Sequence, residues 1–204
     1  VVGSAPVSNL PRGFDDRFSV VTVNGSQAVT KRWGIAKPHA TFLQFNQIEG
    51  TNDNAVAVRR VLSGERTGIL YVLRWSLEES RLRDGLAAFD YRCDQLRLVN
   101  QYQRMALHES VMGTRSSEID NNQKFSNGIT AVFYAFNSGA PAVIISGINP
   151  GSTGHIYNDL GLRRLHNDMD HKILLTLHER GAKIFTADPE VANSTGLPLW
   201  EGNI

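Results

Sequence analysis

Lys124-Phe125-Ser126-Asn127-Gly128, continued by Ile129-Thr130-Ala131-Val132-Phe133-Tyr134-Ala135-Phe136-Asn137-Ser138-Gly139, reads as a polar turn opening a helix that a glycine closes. Pro141 to Gly147 follows as a short apolar run rich in Val and Ile, the composition of a buried strand. A helix start and a strand end can therefore face one crevice. A helix N-terminus offers unpaired N–H groups and a positive dipole end, so Ser126, Asn127 and the amides after them make a seat for a carboxylate or phosphate. Ser-Asn is also ordinary capping chemistry, which needs no ligand. The rest of the chain has to decide between the two.

Working outward, strands and helices alternate. Val1-Val2-Gly3-Ser4-Ala5-Pro6 reads as a strand end running into a turn of small residues, where a ligand can approach the backbone closely. Ser19 to Val23 is a second strand ending in Asn24-Gly25-Ser26, and Gln27 to Trp33 a helix. Ala40 to Phe45 reads as a strand, Asn54 to Leu62 as a helix, Gly68 to Leu73 as a strand, Leu77 to Phe89 as an amphipathic helix and Leu96 to Val99 as a short strand. Gln101 to Met112 is helical in propensity. Gly113 to Lys124 is polar and aperiodic, long for a structureless connection, and reads either as a lid over the site or as a surface loop. Beyond the opening stretch, Gly147 to Tyr157 is a glycine-rich loop at a strand's carboxyl end. Asn167 to Arg180 is a helix stopped by Gly181, Lys183 to Thr186 is the last strand, and Asp188 to Ile204 reads as irregular.

This alternation predicts one α/β domain over residues 1–204: a Rossmann-like, doubly wound, mostly parallel sheet of about seven strands with a lid-like excursion around 113–124. In such sheets ligands bind outside the carboxyl ends of the strands. Gly3 to Pro6, Asn24 to Ser26 and Gly147 to Tyr157 all fall at such ends and can converge.

Composition narrows the chemistry. The formal net charge of +1 argues for neither a nucleic-acid nor a membrane-surface partner. Lys31, Arg32 and Lys37, and Arg163 with Arg164, read as solvated surface. Cys93 is the single cysteine, so no internal disulfide is possible within these residues, and it reads as buried and inert. No run approaches the apolar length needed to span a bilayer and no signal peptide is visible, which predicts a cytoplasmic location.

Familiar fingerprints fail. After the first strand, Gly3-Ser4-Ala5-Pro6-Val7-Ser8 keeps only the first glycine of the dinucleotide motif and places proline where a helix should open. There is no P-loop and no serine elbow. Six histidines and one cysteine show no compact metal-ligand spacing, so no metal is expected. His39, His108 and His178 read as surface or capping residues.

The assembled pattern resembles the CMP-sugar-dependent sialyltransferases, in particular the bacterial lipooligosaccharide family, with echoes of the animal sialylmotifs and of related Kdo transferases. Val1 to Pro6 is similar to the family's first strand and turn, with Ser4 where the family usually has asparagine. Thr22-Val23-Asn24 is similar to its second strand. Phe125 to Ala140 with Val143 to Asn149 is similar to the small sialylmotif. His166, followed by Asp170 and an apolar ladder to Gly181, matches the layout around the family's catalytic histidine, with His171 as the fallback.

The resemblance implies a fold of the GT-A-variant type and an inverting glycosyltransferase that moves sialic acid, Kdo or a related nonulosonate from its CMP donor to a glycan hydroxyl. It implies that the catalytic group is His166, Tyr157 and Asp170, and that the donor lies on Gly3, Ser4, Ala5, Asn24, Gly25, Gly147, Ile148 and Asn149. Ser126, Asn127 and Gly128 would hold the sugar carboxylate, in agreement with the anion seat. Tyr157 matches one of two tyrosines that bond the departing phosphate. The other position is Gly151, so a replacement is needed, either His155 or backbone amides of the loop.

Residue chemistry suits that reaction. Histidine, near pKa 6.5 when unperturbed, takes a hydroxyl proton close to neutrality. A position before a helix N-terminus disfavours its charged form. A single phosphate needs no divalent cation, so the donor is the only small molecule required and no cofactor is expected. Bacterial surface polysaccharide biosynthesis, a lipid-linked acceptor at the inner face of the cytoplasmic membrane and homo-oligomer formation complete the expectations. The alternatives are a non-catalytic nucleotide- or glycan-binding domain of the same fold and another nucleotide-dependent enzyme on a doubly wound sheet.

Overall fold

Strands and helices alternate along the chain, and the computed structural model describes residues 1–116, 123–158 and 166–202. β1 (Val21–Val23) leads through a 3-10 turn at Asn24–Ser26 into α1 (Gln27–Arg32), and β2 (Ala40–Gln44) runs directly into α2 (Phe45–Glu49). α3 (Asp53–Leu62), β3 (Arg66–Leu73), α4 (Glu79–Ala87), β4 (Arg92–Val99) and α5 (Gln101–Met112) follow. Then come α6 (Asn127–Asn137), β5 (Val143–Ile145), α7 (Asn167–Glu179), β6 (Ile184–Thr186) and α8 (Pro189–Thr195).

β1 to β4 form a parallel sheet in chain order, and β5 pairs with β6 in a parallel pair. The opening residues join the two. Val2 bridges Thr22 on one side and Ser146 on the other. The Val2 N–H donates to the Val21 carbonyl at 2.7 Å, and the Gly3 N–H to that of Ser146 at 2.7 Å. Strand order therefore reverses at this segment, which makes it the switch point where α/β sheets open a ligand crevice. The predicted α/β class and parallel sheet stand. The count of about seven strands does not: among the described residues there are six, in sheets of four and two. The opening residues contribute bridges rather than a strand because the chain turns away at Gly3 to Pro6.

Period-two alternation sorts the strand side chains to two faces. Val21, Val23, Ala40, Phe42 and Leu73 pack with Ala131 of α6, where Phe42 stacks on Tyr71 with centroids 4.6 Å apart. Leu43, Leu70 and Val72 face Val58, Leu62 and Leu82 of α3 and α4. A buried hydroxyl ladder crosses the sheet from β1 to β3. Thr22 Oγ1 lies 2.8 Å from Thr41 Oγ1, which lies 2.9 Å from that of Thr67. A third cluster joins α6, α7 and α8 to β5 and β6 through Phe125, Phe133, Leu174 and Ile184.

Several boundaries differ from the sequence reading. The strand ending at Phe45 stops at Gln44, because the Gln47 side chain accepts from the Gln44 N–H at 2.8 Å and starts α2. The stretch from Asp188, expected to be irregular, holds α8, opened by Pro189 at its first position and closed by Gly196 at φ 75°. β4 begins at Arg92 rather than Leu96. It is an edge strand with mostly exposed side chains, so no apolar period announced it.

Cys93 on that strand is half-buried rather than buried, and desolvation pushes its thiol pKa up, toward the inert form. His108 is not a surface residue. It is buried, stacks 5.5 Å from Phe125, and donates from Nδ1 to the Thr114 carbonyl at 2.9 Å. Lys31 and Lys37 pair with Glu65 and Asp94 at the surface. Arg163, Arg164 and residues 117–122 of the expected lid lie outside the described residues. Among the described residues no helix is long and apolar enough to cross a membrane.

Candidate functional site

The carboxyl ends of the strands open into a cleft of about 480 Å³. Each wall has a local origin. Gly3 and Ser4 form its floor where the opening segment turns beside Gly147. The Ala5 N–H donates to the Gly147 carbonyl at 2.9 Å, and a Cβ on Gly3 would stand 2.2 Å from that oxygen. Gly147 has φ 64°, a backbone conformation that favours glycine. Its N–H is held by buried Asp188 at 2.6 Å, and the other Asp188 oxygen accepts from the Asn9 N–H at 2.7 Å.

Asn24 closes β1 at φ 52°, and Arg74 follows β3 at φ 62°. Positive φ outside glycine is uncommon, and two of the three such residues found line this cleft. The Asn127 amide donates to Asn24 Oδ1 at 2.8 Å, tying the end of β1 to the start of α6 across the crevice.

The start of α6 is capped as its sequence suggested. Ser126 is the N-cap, its Oγ accepting from the Ile129 N–H at 3.3 Å. Ser126, Asn127 and Gly128 also line the cleft, so the first-turn amides of Asn127 and Gly128 belong to it. The protein already sets an anion there: buried Asp170 accepts from the Ser126 N–H at 2.8 Å through Oδ1. Asp170 is thus a staple between α7 and α6. His166 is the N-cap residue of α7, accepts the Asp170 N–H through its carbonyl at 2.8 Å, and lines the same cleft as Ser126.

Gly147, Ile148 and Asn149 complete the expected donor wall. Three predicted residues do not line the cleft. Ala5 is buried beneath the turn, and Gly25 packs against the Tyr157 ring, where a Cβ would come within 2.6 Å of Cδ1. Tyr157 is buried behind the cleft with its hydroxyl donating to Asn54 Oδ1 at 3.4 Å. The loop residue that does line the cleft is His155, 2.8 Å from Ser4 Oγ through Nδ1 and stacked on Tyr157 at 5.1 Å and 4°. His171 and Gly151 are not among the lining residues.

Sequence reasoning missed the cations. Arg74, Arg104 and Lys124 line the cleft against one carboxylate, Asp170, among the described residues. Arg104 is buried with its guanidinium 4.3 Å over the Phe125 ring, and it donates to the Phe125 carbonyl and to Thr130 Oγ1. Gln44, Asn46, Asn54 and Asn167 add uncharged amides to the walls. The arrangement suits an anionic ligand with many hydroxyl or base-edge groups. The described residues contain no group of three His, Cys, Asp or Glu side chains able to hold a metal ion.

No protein-family model matches the chain, and no curated protein is similar to it in sequence. Solved structures are similar to it in fold. The chain aligns over 98% of its length, at 16% identity and a TM-score of 0.60, with 85% of the sialyltransferase CstII from Campylobacter jejuni in complex with the substrate analogue CMP-3FNeuAc. It aligns over 98% of its length with 79% of the monofunctional α-2,3-sialyltransferase Cst-I of the same organism, at 14% identity and a TM-score of 0.60. A CstII complex with CMP and a trisaccharide acceptor gives 15% identity, a TM-score of 0.59, and coverage of 100% of this chain and 87% of that one.

The fold is that of CstII and Cst-I. The family resemblance read from the opening turn and the stretch around Gly128 thus holds at the level of architecture, across nearly the whole chain.

Proposed function

We infer that this chain is an inverting glycosyltransferase that moves a keto-acid sugar from its CMP-activated form to a glycan hydroxyl. One observation carries the reading: Gly3–Ser4, Ser126–Gly128 and His166, from three separated parts of the sequence, line one cleft at the sheet's switch point. The shared fold with CMP-bound sialyltransferases supports it.

In this reading His166 takes the proton of the acceptor hydroxyl as that oxygen attacks the anomeric carbon. The α6 amides and Ser126 receive the sugar carboxylate. Asp170 fixes the approach of α7 to α6, and with it the distance between base and seat. Arg74, Arg104 and Lys124 oppose the donor's negative charge, so no metal is required for binding. Sialic acid, Kdo and related nonulosonates all carry the needed carboxylate. A lipid-linked surface glycan at the cytoplasmic membrane is the acceptor class that fits this donor chemistry.

The test is CMP binding followed by turnover. CMP at 100 times its Kd raises stability by about 2.7 kcal/mol, and a chain of this size gains about 2–4 °C in Tm per kcal/mol. His166→Ala abolishes transfer and keeps the CMP shift. No shift at millimolar CMP overturns the reading. A second reading, a binding module without turnover, is favoured by Tyr157 standing behind the cleft. Consumption of a CMP-sugar donor separates the two. Unchanged transfer in EDTA checks that no metal takes part.

A further inference from the structure

We propose that Asp188, which does not itself line the cleft, is the positioning residue for its floor and sets donor affinity through Gly147; this rests on the transfer reaction inferred above and deepens it. Asp188 stands at the N-cap of α8, where an aspartate side chain ordinarily accepts from the first N–H groups of its own helix. It makes no such bond. The buried carboxylate reaches instead two segments far away in the sequence. Oδ2 accepts from the Gly147 N–H at 2.6 Å, and Oδ1 accepts from the Asn9 N–H at 2.7 Å and from Asn9 Nδ2 at 2.9 Å.

These bonds close a ring beneath the floor. The Gly147 carbonyl accepts from the Ala5 N–H at 2.9 Å, so both polar backbone groups of Gly147 are held, one by Ala5 and the other by Asp188. Residues 5–9 are in turn held at both ends, at Ala5 by Gly147 and at Asn9 by Asp188. Ser146 Oγ donates to the Asn9 carbonyl at 2.8 Å and closes the same ring from the end of β5. Gly147 has no side chain to anchor it, and a Cβ there would come within 2.3 Å of Ser8 Oγ and 2.8 Å of the Gly3 carbonyl oxygen. The orientation of this peptide therefore depends on its two hydrogen bonds. Ile148 and Asn149 enter the cleft wall from it, and Gly3 and Ser4 lie beside them.

A carboxylate is the side chain this place requires. Three N–H groups converge on Asp188, and an ionised carboxylate has acceptor sites on both oxygens. Burial opposes its charge, while the bonds from Gly147 and Asn9 favour it. Asparagine has a single acceptor oxygen, so its NH2 group would meet the N–H of Gly147 or those of Asn9, donor against donor. Without the clamp, Gly147 is free to turn and residues 5–9 to lift. A donor resting on that floor is then held less well in the ground state and in the transition state alike, so KM rises and kcat stays.

The experiment is CMP titration and steady-state transfer with the wild type, Asp188→Asn, Asn9→Ala and Thr41→Val, each well below its Tm. Asp188→Asn binds CMP at least about tenfold more weakly and raises the donor KM by a similar factor, with kcat within about threefold of the wild type. Asn9→Ala removes one of the three donors, keeps the Gly147 bond, and weakens CMP binding about threefold. Thr41→Val loses stability through the hydroxyl ladder of the sheet and keeps the wild-type CMP affinity. A folded Asp188→Asn protein that binds CMP as the wild type does, or that loses kcat at an unchanged donor KM, overturns the assignment and leaves the transfer reading in place. So does a Thr41→Val protein with the same loss of CMP affinity, which traces the effect to stability alone. If Asp188→Asn does not fold, wild-type CMP affinity in Asn9→Ala overturns the assignment. A wild type that neither binds CMP nor consumes a CMP-sugar donor overturns both.

Discussion

Gly3→Ala tests the floor of the cleft directly. A Cβ at Gly3 would lie 2.2 Å from the Gly147 carbonyl oxygen and 2.7 Å from both its carbon and Ile148 Cγ1. Two of these three atoms are backbone, so no rotamer change relieves the contact. The two loops must separate, and the bond from the Ala5 N–H to the Gly147 carbonyl separates with them. Overpacking of this kind costs about 1–3 kcal/mol, and loss of a backbone hydrogen bond adds about 1 kcal/mol. The expected total of about 3 kcal/mol lowers Tm by roughly 6–12 °C for a chain of this length. Gly151→Ala is the control, because its added Cβ meets only Asn149 Oδ1 at 3.4 Å, and it should be neutral within about 0.5 kcal/mol. Urea unfolding of the wild type and both variants gives the free energies, and CMP titration should show Gly3→Ala at least tenfold weaker. A Gly3→Ala protein as stable as the wild type refutes the close approach of the two loops, and with it the shape of the floor.

Ser126→Ala removes the cap of α6 and should cost about 1 kcal/mol in urea unfolding while also weakening CMP-sugar binding relative to CMP. Thr41→Val deletes the middle hydroxyl of the buried ladder and leaves Thr22 and Thr67 short of a partner, a loss of about 1–3 kcal/mol with donor binding unchanged. Burial raises the Asp188 carboxyl above its usual range, so this group's contribution to stability is fullest below its unfolded pKa and declines as pH rises through the folded one. The unfolding free energy of the wild type should accordingly gain on that of Asp188→Asn as the pH is lowered through that window; parallel curves would refute the shift.

Much of this architecture was legible because its signals are local. Ser126 as a cap, the apolar face of α6 and the glycines that stop α5 and α7 each act within a few residues. Their order alone placed three strand ends at one edge of the sheet. What stayed hidden depends on partners far along the chain. Arg104 sits in an ordinary helical stretch, and only the packing of α5 on α6 carries its guanidinium into the cleft. Arg74 was silent because nothing in its neighbours marks a non-glycine residue at positive φ. Tyr157 was placed by its match to a tyrosine of the resembled family, yet such a match cannot tell which of two loop residues faces the cleft, and it is His155 that lines it. Asp188 was passed over because its role, clamping Gly147 and Asn9, joins both ends of the described chain.

The wedging of residues 1–5 between β1 and β5 also governs how the molecule assembles. Contacts between such distant segments carry a large loop-closure entropy and form late and slowly. Val2 cannot complete its pairing until Ser146 is in position, so the two sheets fuse and the Gly3–Gly147 floor appears in a single closing event. A partly assembled chain thus has half a groove. A nucleotide present during refolding should leave the early phases untouched and act only after that closure, as a slower unfolding rate.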